Sequence, residues 1–190
     1  MSKELNLTGM LNFNEMDMTL PNKVVEEILQ QIPKSTNDII HANIEEYNGH
    51  VISYTKKDSV AEVLGAMSLE KCVDIQDSLG KCGGGEEHKY ECYLYTTTYE
   101  DYKYRMFFMR YGIAPYPVRF TLEESIARDI PDIGIGYIVS CNNREEVEDL
   151  IIKILTSKKA LSVMQELIRV YQAKKYEEST KETEIDIGME

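Results

Sequence analysis

The sequence predicts an α+β domain: a mainly antiparallel sheet built from two hairpins plus further strands, with a C-terminal helical pair packed on it. Three observations predict it. Residues 38–55 and 90–113 are rich in β-branched and aromatic residues around turn signals, the pattern of paired strands. Residues 142–171 carry two successive apolar stripes at helical spacing. Strands gathered in the middle of a chain and helices at its end are how segregated α+β layers read in sequence.

The elements follow in order. The first 20 residues are rich in Met and Asn and carry no assignment. Pro21 opens a helix through Gln31, with Val24, Val25, Ile28, Leu29 and Ile32 on one stripe; Pro33 is expected to end it. Between Asp38 and Thr55, Asn48-Gly49 reads as a type I′ hairpin turn, which needs positive φ at both residues. That register pairs Tyr47 with His50, Glu45 with Ile52 and Asn43 with Tyr54, and leaves Ile40, Ala42, Ile44 and Val51 on the core face. Asp58 or Ser59 caps a short helix through Met67, Cys72–Ile75 is a short strand, and Gly83-Gly84-Gly85 is a flexible break.

A second hairpin runs from Tyr90 to Thr97, turns near Tyr99-Glu100-Asp101, and returns from Tyr102 to Ile113. Ala114-Pro115-Tyr116-Pro117 interrupts the ladder, and Val118–Leu122 resumes as a strand. Thr121 and Glu124 have capping-box spacing and open a helix through Asp129, ended by Pro131. Gly136–Cys141 is a strand. Asn142 or Asn143 caps a helix striped by Val147, Leu150, Ile151, Ile154 and Leu155. Ser157 restarts a longer helix with Leu161, Met164, Leu167, Ile168 and Tyr171 inward, and Lys174-Lys175 at its end. Residues 1–176 read as a single domain, and 177–190 as an acidic tail without apolar periodicity, expected to be disordered.

Composition bounds the function. The chain has 190 residues and 21 Lys+Arg against 33 Asp+Glu, a net charge of −12. That surplus argues against generic nucleic-acid binding, which needs Lys and Arg to neutralise phosphates, and against an anionic membrane surface as partner. The charge is uneven: residues 1–100 carry −9, residues 101–176 carry +2, and residues 177–190 carry −5. All six Arg lie between Arg105 and Arg169. The first residues lack the apolar core of a signal peptide, and no apolar run approaches a membrane span, so a cytoplasmic location is expected. Cys72, Cys82, Cys92 and Cys141 are then expected to be reduced.

No motif carries catalysis. Cys72, Cys82 and Cys92 with His88 lack the close ligand pair of a zinc knuckle, so no metal and no cofactor is expected. Gly83-Gly84-Gly85 is followed by two carboxylates, the wrong sign for phosphate, and Gly134-Ile135-Gly136 precedes a strand and lacks the third dinucleotide glycine. His41 and His50 share a face of the first hairpin with Glu45 but lie too far apart for an acid/base pair. The densest carboxylates outside the tail are Glu70, Asp74, Asp77, Glu86, Glu87 and Glu91. The second hairpin holds Tyr93, Tyr95, Tyr102, Tyr104 and Arg105, and eight tyrosines fall between Tyr90 and Tyr116. In a regular strand Tyr102, Tyr104, Met106 and Phe108 share one face, and Lys103, Arg105, Phe107, Met109 and Tyr111 the other. This is either a central strand covered on both faces or a recognition surface, since Tyr, Met and Arg are enriched at interfaces.

In this acidic, Tyr-rich, motif-free single domain the chain resembles the small acidic accessory proteins of phages and mobile elements, including anti-CRISPR inhibitors of RNA-guided nucleases. The resemblance implies a non-enzymatic inhibitor or adaptor, monomer or homodimer, that engages a basic nucleic-acid-handling protein, its carboxylates standing in for DNA phosphates. Two alternatives stay open: a ligand-sensing domain with a Tyr/Phe/Met-lined pocket, and a motif-poor enzyme using His41, His50 or His88.

Overall fold

The structure is a computed structural model that describes residues 19–54, 72–74, 87–131, 133 and 137–187. Its elements are helices α1 (Pro21–Leu29) and α2 (Gln31–Ser35), strands β1 (His41–Glu46), β2 (Ile52–Tyr54), β3 (Cys72–Asp74), β4 (His88–Thr96), β5 (Tyr99–Tyr111) and β6 (Val118–Leu122), helix α3 (Glu124–Asp129), strand β7 (Ile138–Cys141), and helices α4 (Arg144–Leu155) and α5 (Lys158–Ile187). Five strands form one antiparallel sheet in the order β1-β4-β5-β6-β7, and β2 pairs with β3 separately. The α+β architecture with a C-terminal helical pair is therefore the one the sequence predicts. No helix among the described residues is long and apolar enough to cross a membrane.

The helices cover one face of the sheet. Val24, Val25 and Leu29 of α1, and Val147, Ile151 and Ile154 of α4, are buried against Cys92, Leu94, Phe107, Met109, Phe120 and Cys141 on the strands. Phe107 and Phe120 meet edge to face with ring centres 5.4 Å apart. The α4 cap is the one expected: the Asn143 side chain accepts from the Glu146 N–H at 2.9 Å, and Glu146 reaches back to the Asn142 N–H at 2.7 Å. Ser157 caps α5, accepting from Ala160 N–H.

The first hairpin is corrected. β1 pairs with β4, not with the strand after Asn48-Gly49: Ala42 sits opposite Leu94 and Ile44 opposite Cys92. The Tyr47 N–H donates to the Lys89 carbonyl, so the backbone is already committed to β4 when it reaches Asn48. Neither Asn48 nor Gly49 adopts the positive φ of a type I′ turn. Burial decides the partner, because Leu94 and Cys92 are fully buried, and a β1 paired locally would leave them uncovered. The expected inward face survives, with Ile40 and Val51 buried and Ala42 and Ile44 packed on the core. The expected helix at 58–67 and the Gly83-Gly84-Gly85 break lie outside the described residues.

Smaller corrections follow the same logic. Pro33 lies inside α2, in its first turn, where a missing N–H leaves no helical bond unmade. The chain then reverses through Asn37 and Asp38 at φ 51 and 62, with Thr36 bridging the Ile32 carbonyl and the Ile40 N–H. The β4–β5 turn falls at Thr97-Thr98, earlier than expected. Thr121 stays in β6, and Glu123 caps α3 by accepting from Ile126 N–H at 3.0 Å. On α5 the buried residues are Ala160, Val163 and Leu167, while Leu161 is exposed. The helix runs on through Ile187, into the stretch read as a tail.

In β5 the sequence pattern misleads for a specific reason. Cys92 pairs with Phe107 but Tyr93 pairs with Arg105, so Met106 is an extra residue, a β-bulge. Its carbonyl accepts from Glu123 N–H at 2.8 Å. The bulge shifts the alternation by one. Tyr104 and Met106 before it, and Phe107, Met109 and Tyr111 after it, all face the helices.

Two measurements check this packing. Phe120→Ala is expected to lower stability by about 3–5 kcal/mol in urea unfolding, and Asn143→Ala by about 1 kcal/mol. Burial pushes the Cys141 thiol up to about 12 and that of Cys92 up as well. Both stay protonated in the fold, so they are expected to resist a disulfide reagent at pH 8 until the protein unfolds. Because the unfolded thiols ionise first, the stability that these protonated thiols contribute is expected to fall as pH rises from about 9 towards about 12.

Candidate functional site

With the helices on one face, the other face of the five-stranded sheet carries the polar and aromatic residues. Antiparallel sheets commonly divide in this way. The register places His41, Asn43 and Glu45 of β1 beside Glu91, Tyr93 and Tyr95 of β4, and these beside Arg105 and Phe108 of β5. Two linked clusters result.

The first is centred on Tyr93. Its hydroxyl donates to Glu45 Oε2 at 3.0 Å and accepts from the Asn43 amide at 3.2 Å. Lys103 Nζ lies 4.2 Å from the Tyr93 ring centre and 3.3 Å from Glu45 Oε1. Tyr93 is thereby only 5 % exposed although it lies on the side away from the helices. Tyr95 continues the row, 5.9 Å from Tyr93 and 5.5 Å from the His41 ring.

The second is centred on Arg105. Its Nε donates to Glu91 Oε2 at 2.6 Å. The guanidinium lies 4.7 Å from the Phe108 ring centre and 5.5 Å from that of Tyr47, and those two rings are 4.7 Å apart. Arg105 and Phe108, three apart in sequence, belong on opposite faces of a regular strand. The Met106 bulge sets them side by side.

The predicted site residues therefore divide. Glu91, Tyr93, Tyr95 and Arg105 meet on this outer face. Glu87 sits just before β4 and pairs with Arg110 at 3.0 Å. Tyr104 is half-buried on the helical side, where burial and the Glu123 carboxylate push its phenol up, and Lys159 lies 5.6 Å from its ring. Tyr102 is exposed near the β4–β5 turn. Asp74 lies in β3; Glu70, Asp77 and Glu86 lie outside the described residues. Of the expected acidic cluster, Glu87 and Glu91 are each paired with an arginine of β5. Sequence reasoning missed Asn43, Glu45, Tyr47, Lys103 and Phe108 as members. The signal for them was the β1–β4 pairing and the bulge, neither of which leaves a local mark in the chain.

Met106, Phe107, Met109 and Tyr111 are buried in the core. His41 contacts the Asp38 carbonyl at 3.1 Å, and His88 packs on Tyr111 with ring centres 5.0 Å apart. Among the described residues no three His, Cys, Asp or Glu gather as metal ligands.

Gly49 supports the second cluster from the loop. A Cβ there would lie 2.3 Å from the Tyr47 hydroxyl oxygen. Gly49→Ala is expected to displace the Tyr47 ring from Phe108 and Arg105, read as a change in aromatic proton shifts of both rings, with a loss of stability of no more than about 1 kcal/mol. No protein-family model, curated protein or solved structure matches this chain.

Proposed function

We propose that this chain is a non-enzymatic protein-binding module, an inhibitor or adaptor, that docks a partner on the outer face of its five-stranded sheet. The observation that carries the reading is the pair of clusters around Tyr93 and Arg105. Tyr and Arg anchor interfaces because they bring large contact area and several donors on few rotatable bonds. Here both are already held: Tyr93 by Glu45 and Asn43, and Arg105 by Glu91 and Phe108. A surface ordered before binding loses less entropy on binding. Lys103 and Arg105 side chains are each 49 % exposed and keep donors for a partner.

The net charge of −12 adds a long-range term that favours encounter with a basic partner. The likeness in character to small acidic inhibitors of nucleic-acid-handling enzymes points the same way. With Glu87 and Glu91 neutralised, the short-range contact rests on aromatic and guanidinium groups, and the charge acts on the approach.

The test is affinity purification with the full chain as bait, from the cells that produce it, at low and high salt. A protein with a basic surface is expected to be retained by the wild type and depleted about tenfold or more by Arg105→Ala and by Tyr95→Ala, with added salt weakening capture. Equal recovery by wild type and by both variants, each shown to keep its melting temperature, overturns the proposal. So does recovery of nucleic acid in place of protein.

A further inference from the structure

Asn48-Gly49 is the only Asn-Gly pair in the sequence, and it lies between the end of β1 at Glu46 and the start of β2 at Ile52. Because β1 pairs with β4, the pair belongs to no ladder and no helix. Asn48 is exposed, and the Gly49 N–H makes no hydrogen bond among the described residues. The loop around the pair is clamped. Tyr47 N–H donates to the Lys89 carbonyl, the Tyr47 hydroxyl donates to the His50 carbonyl at 3.3 Å, and Lys89 Nζ donates to the Gly49 carbonyl at 3.4 Å. A Cβ at Gly49 would lie 2.3 Å from the Tyr47 hydroxyl oxygen, so the position requires glycine. Glycine, with no Cβ, is also the residue that shields its own nitrogen least.

We infer that Asn48 is a site of spontaneous covalent modification, a deamidation through a cyclic imide that reshapes the Tyr47–Arg105 cluster. The Gly49 nitrogen gives its proton to hydroxide and attacks the Asn48 Cγ. A nitrogen–Cγ bond forms, the Cγ–Nδ2 bond breaks, and ammonia leaves with a proton from water. Water then opens the ring. Attack at Cγ yields an aspartate; attack at the main-chain carbonyl carbon yields an isoaspartate, whose main chain runs through Cβ and Cγ. Water is the only co-reactant consumed. The Lys89 ammonium beside Gly49 favours the anionic nitrogen. Of the other charged groups near the loop, Glu87 is paired with Arg110, and Glu46 and His88 line the same cavity of about 110 Å³ as Asn48. Other asparagine side chains are held elsewhere: Asn22 by Tyr111, Asn43 by Tyr93, and Asn142 and Asn143 by Glu146. None of these is followed by glycine.

An isoaspartate lengthens the main chain inside a loop fixed at Tyr47 and His50, and it places a carboxylate beside Lys89. The Tyr47 ring then has to leave Phe108 and Arg105, from which it lies 4.7 and 5.5 Å. The chemistry and the ring shift need no partner. Only their effect on docking rests on the reading of the outer face as a binding surface.

The test ages the full chain in warm buffer at pH 8. Asparagine loss is mapped by peptide mass, and isoaspartate by electron-transfer fragmentation. Loss is expected at Asn48, with isoaspartate among the products, while Asn22, Asn43, Asn142 and Asn143 stay intact. The aromatic proton shifts of Tyr47 and Phe108 are expected to move in the converted fraction and to stay in place in aged Asn48→Gln, because glutamine closes the larger ring far more slowly. An Asn48 that survives in the folded chain and is lost only in urea overturns the inference. So does loss spread evenly over the asparagines, or conversion that leaves both sets of ring shifts unmoved. Capture of the natural partner is expected to fall for aged wild type but not for aged Asn48→Gln, and equal capture by the two overturns the link to docking. That failure is distinct from failure of the sheet face, which is read from freshly prepared Arg105→Ala and Tyr95→Ala.

Discussion

The extra residue in β5, Met106, sets what each face of the sheet carries. Without it, Arg105 would share a face with Phe107, Met109 and Tyr111, and a guanidinium would be driven toward the helices. Burying an unpaired charge there is far costlier than a bulge, which loses little more than one ladder bond. The bulge recovers even that bond, because the Met106 carbonyl takes the Glu123 N–H. It also buries Met106 fully. One local irregularity thus lets an aromatic, basic strand contribute an apolar row to the core and a cationic row to the outer face.

That division changes how the charge of the chain is read. Along the sequence a net acidic first hundred residues precedes a segment that holds every arginine. In the fold the two interleave by face. Lys89, Lys103, Arg105, Arg110 and Arg119 have register positions on the outer side of the sheet, with Glu45, Glu87 and Glu91 among them. The helical side carries Glu26, Glu27, Glu145, Glu146, Glu148 and Asp149 on α1 and α4, where Arg144 joins the two helices through Glu27 and Glu148. Acid and base are neighbours on the sheet because cross-strand pairing brings β4 carboxylates against β5 cations.

How much of this the sequence disclosed depends on how local each signal is. Asn143, Ser157 and the stripe at Val147, Leu150, Ile151 and Ile154 were legible, since a helix is made of contacts within a few residues. The strands from Tyr90 to Leu122 were legible as strands because β-branched and aromatic runs between turn signals are themselves local marks. The partner of β1 was not. Asn48-Gly49 is a strong local hairpin cue, but Ala42 and Ile44 gain more from Leu94 and Cys92, on a strand that begins at His88. Local propensity yields where burial differs. The bulge was illegible because two alternations read equally well through Met106, Phe107, Phe108 and Met109, all of them apolar. The site inherits both failures: half its residues belong to β1 or follow the phase shift.

The outer face is also braced from behind. α5 crosses under the β4–β5 hairpin, and Lys174 donates to the Thr98 carbonyl at 2.8 Å while lying 5.1 Å from the Tyr99 ring centre. Further back, the Lys159 N–H is capped by Asp129 of α3. The hairpin turn, ordinarily the loosest part of two long strands, is tied to the longest helix. A partner meeting Tyr95, Lys103 and Arg105 therefore meets side chains whose backbone is fixed and whose charges are already paired. Such a face gives up little ordering entropy on binding, and it gains little from charge at contact, since each new ion pair competes with an old one. For the proposed docking on this face, selectivity would then come from shape and from aromatic contact, and the surplus acid elsewhere would set how fast a basic partner arrives rather than how long it stays.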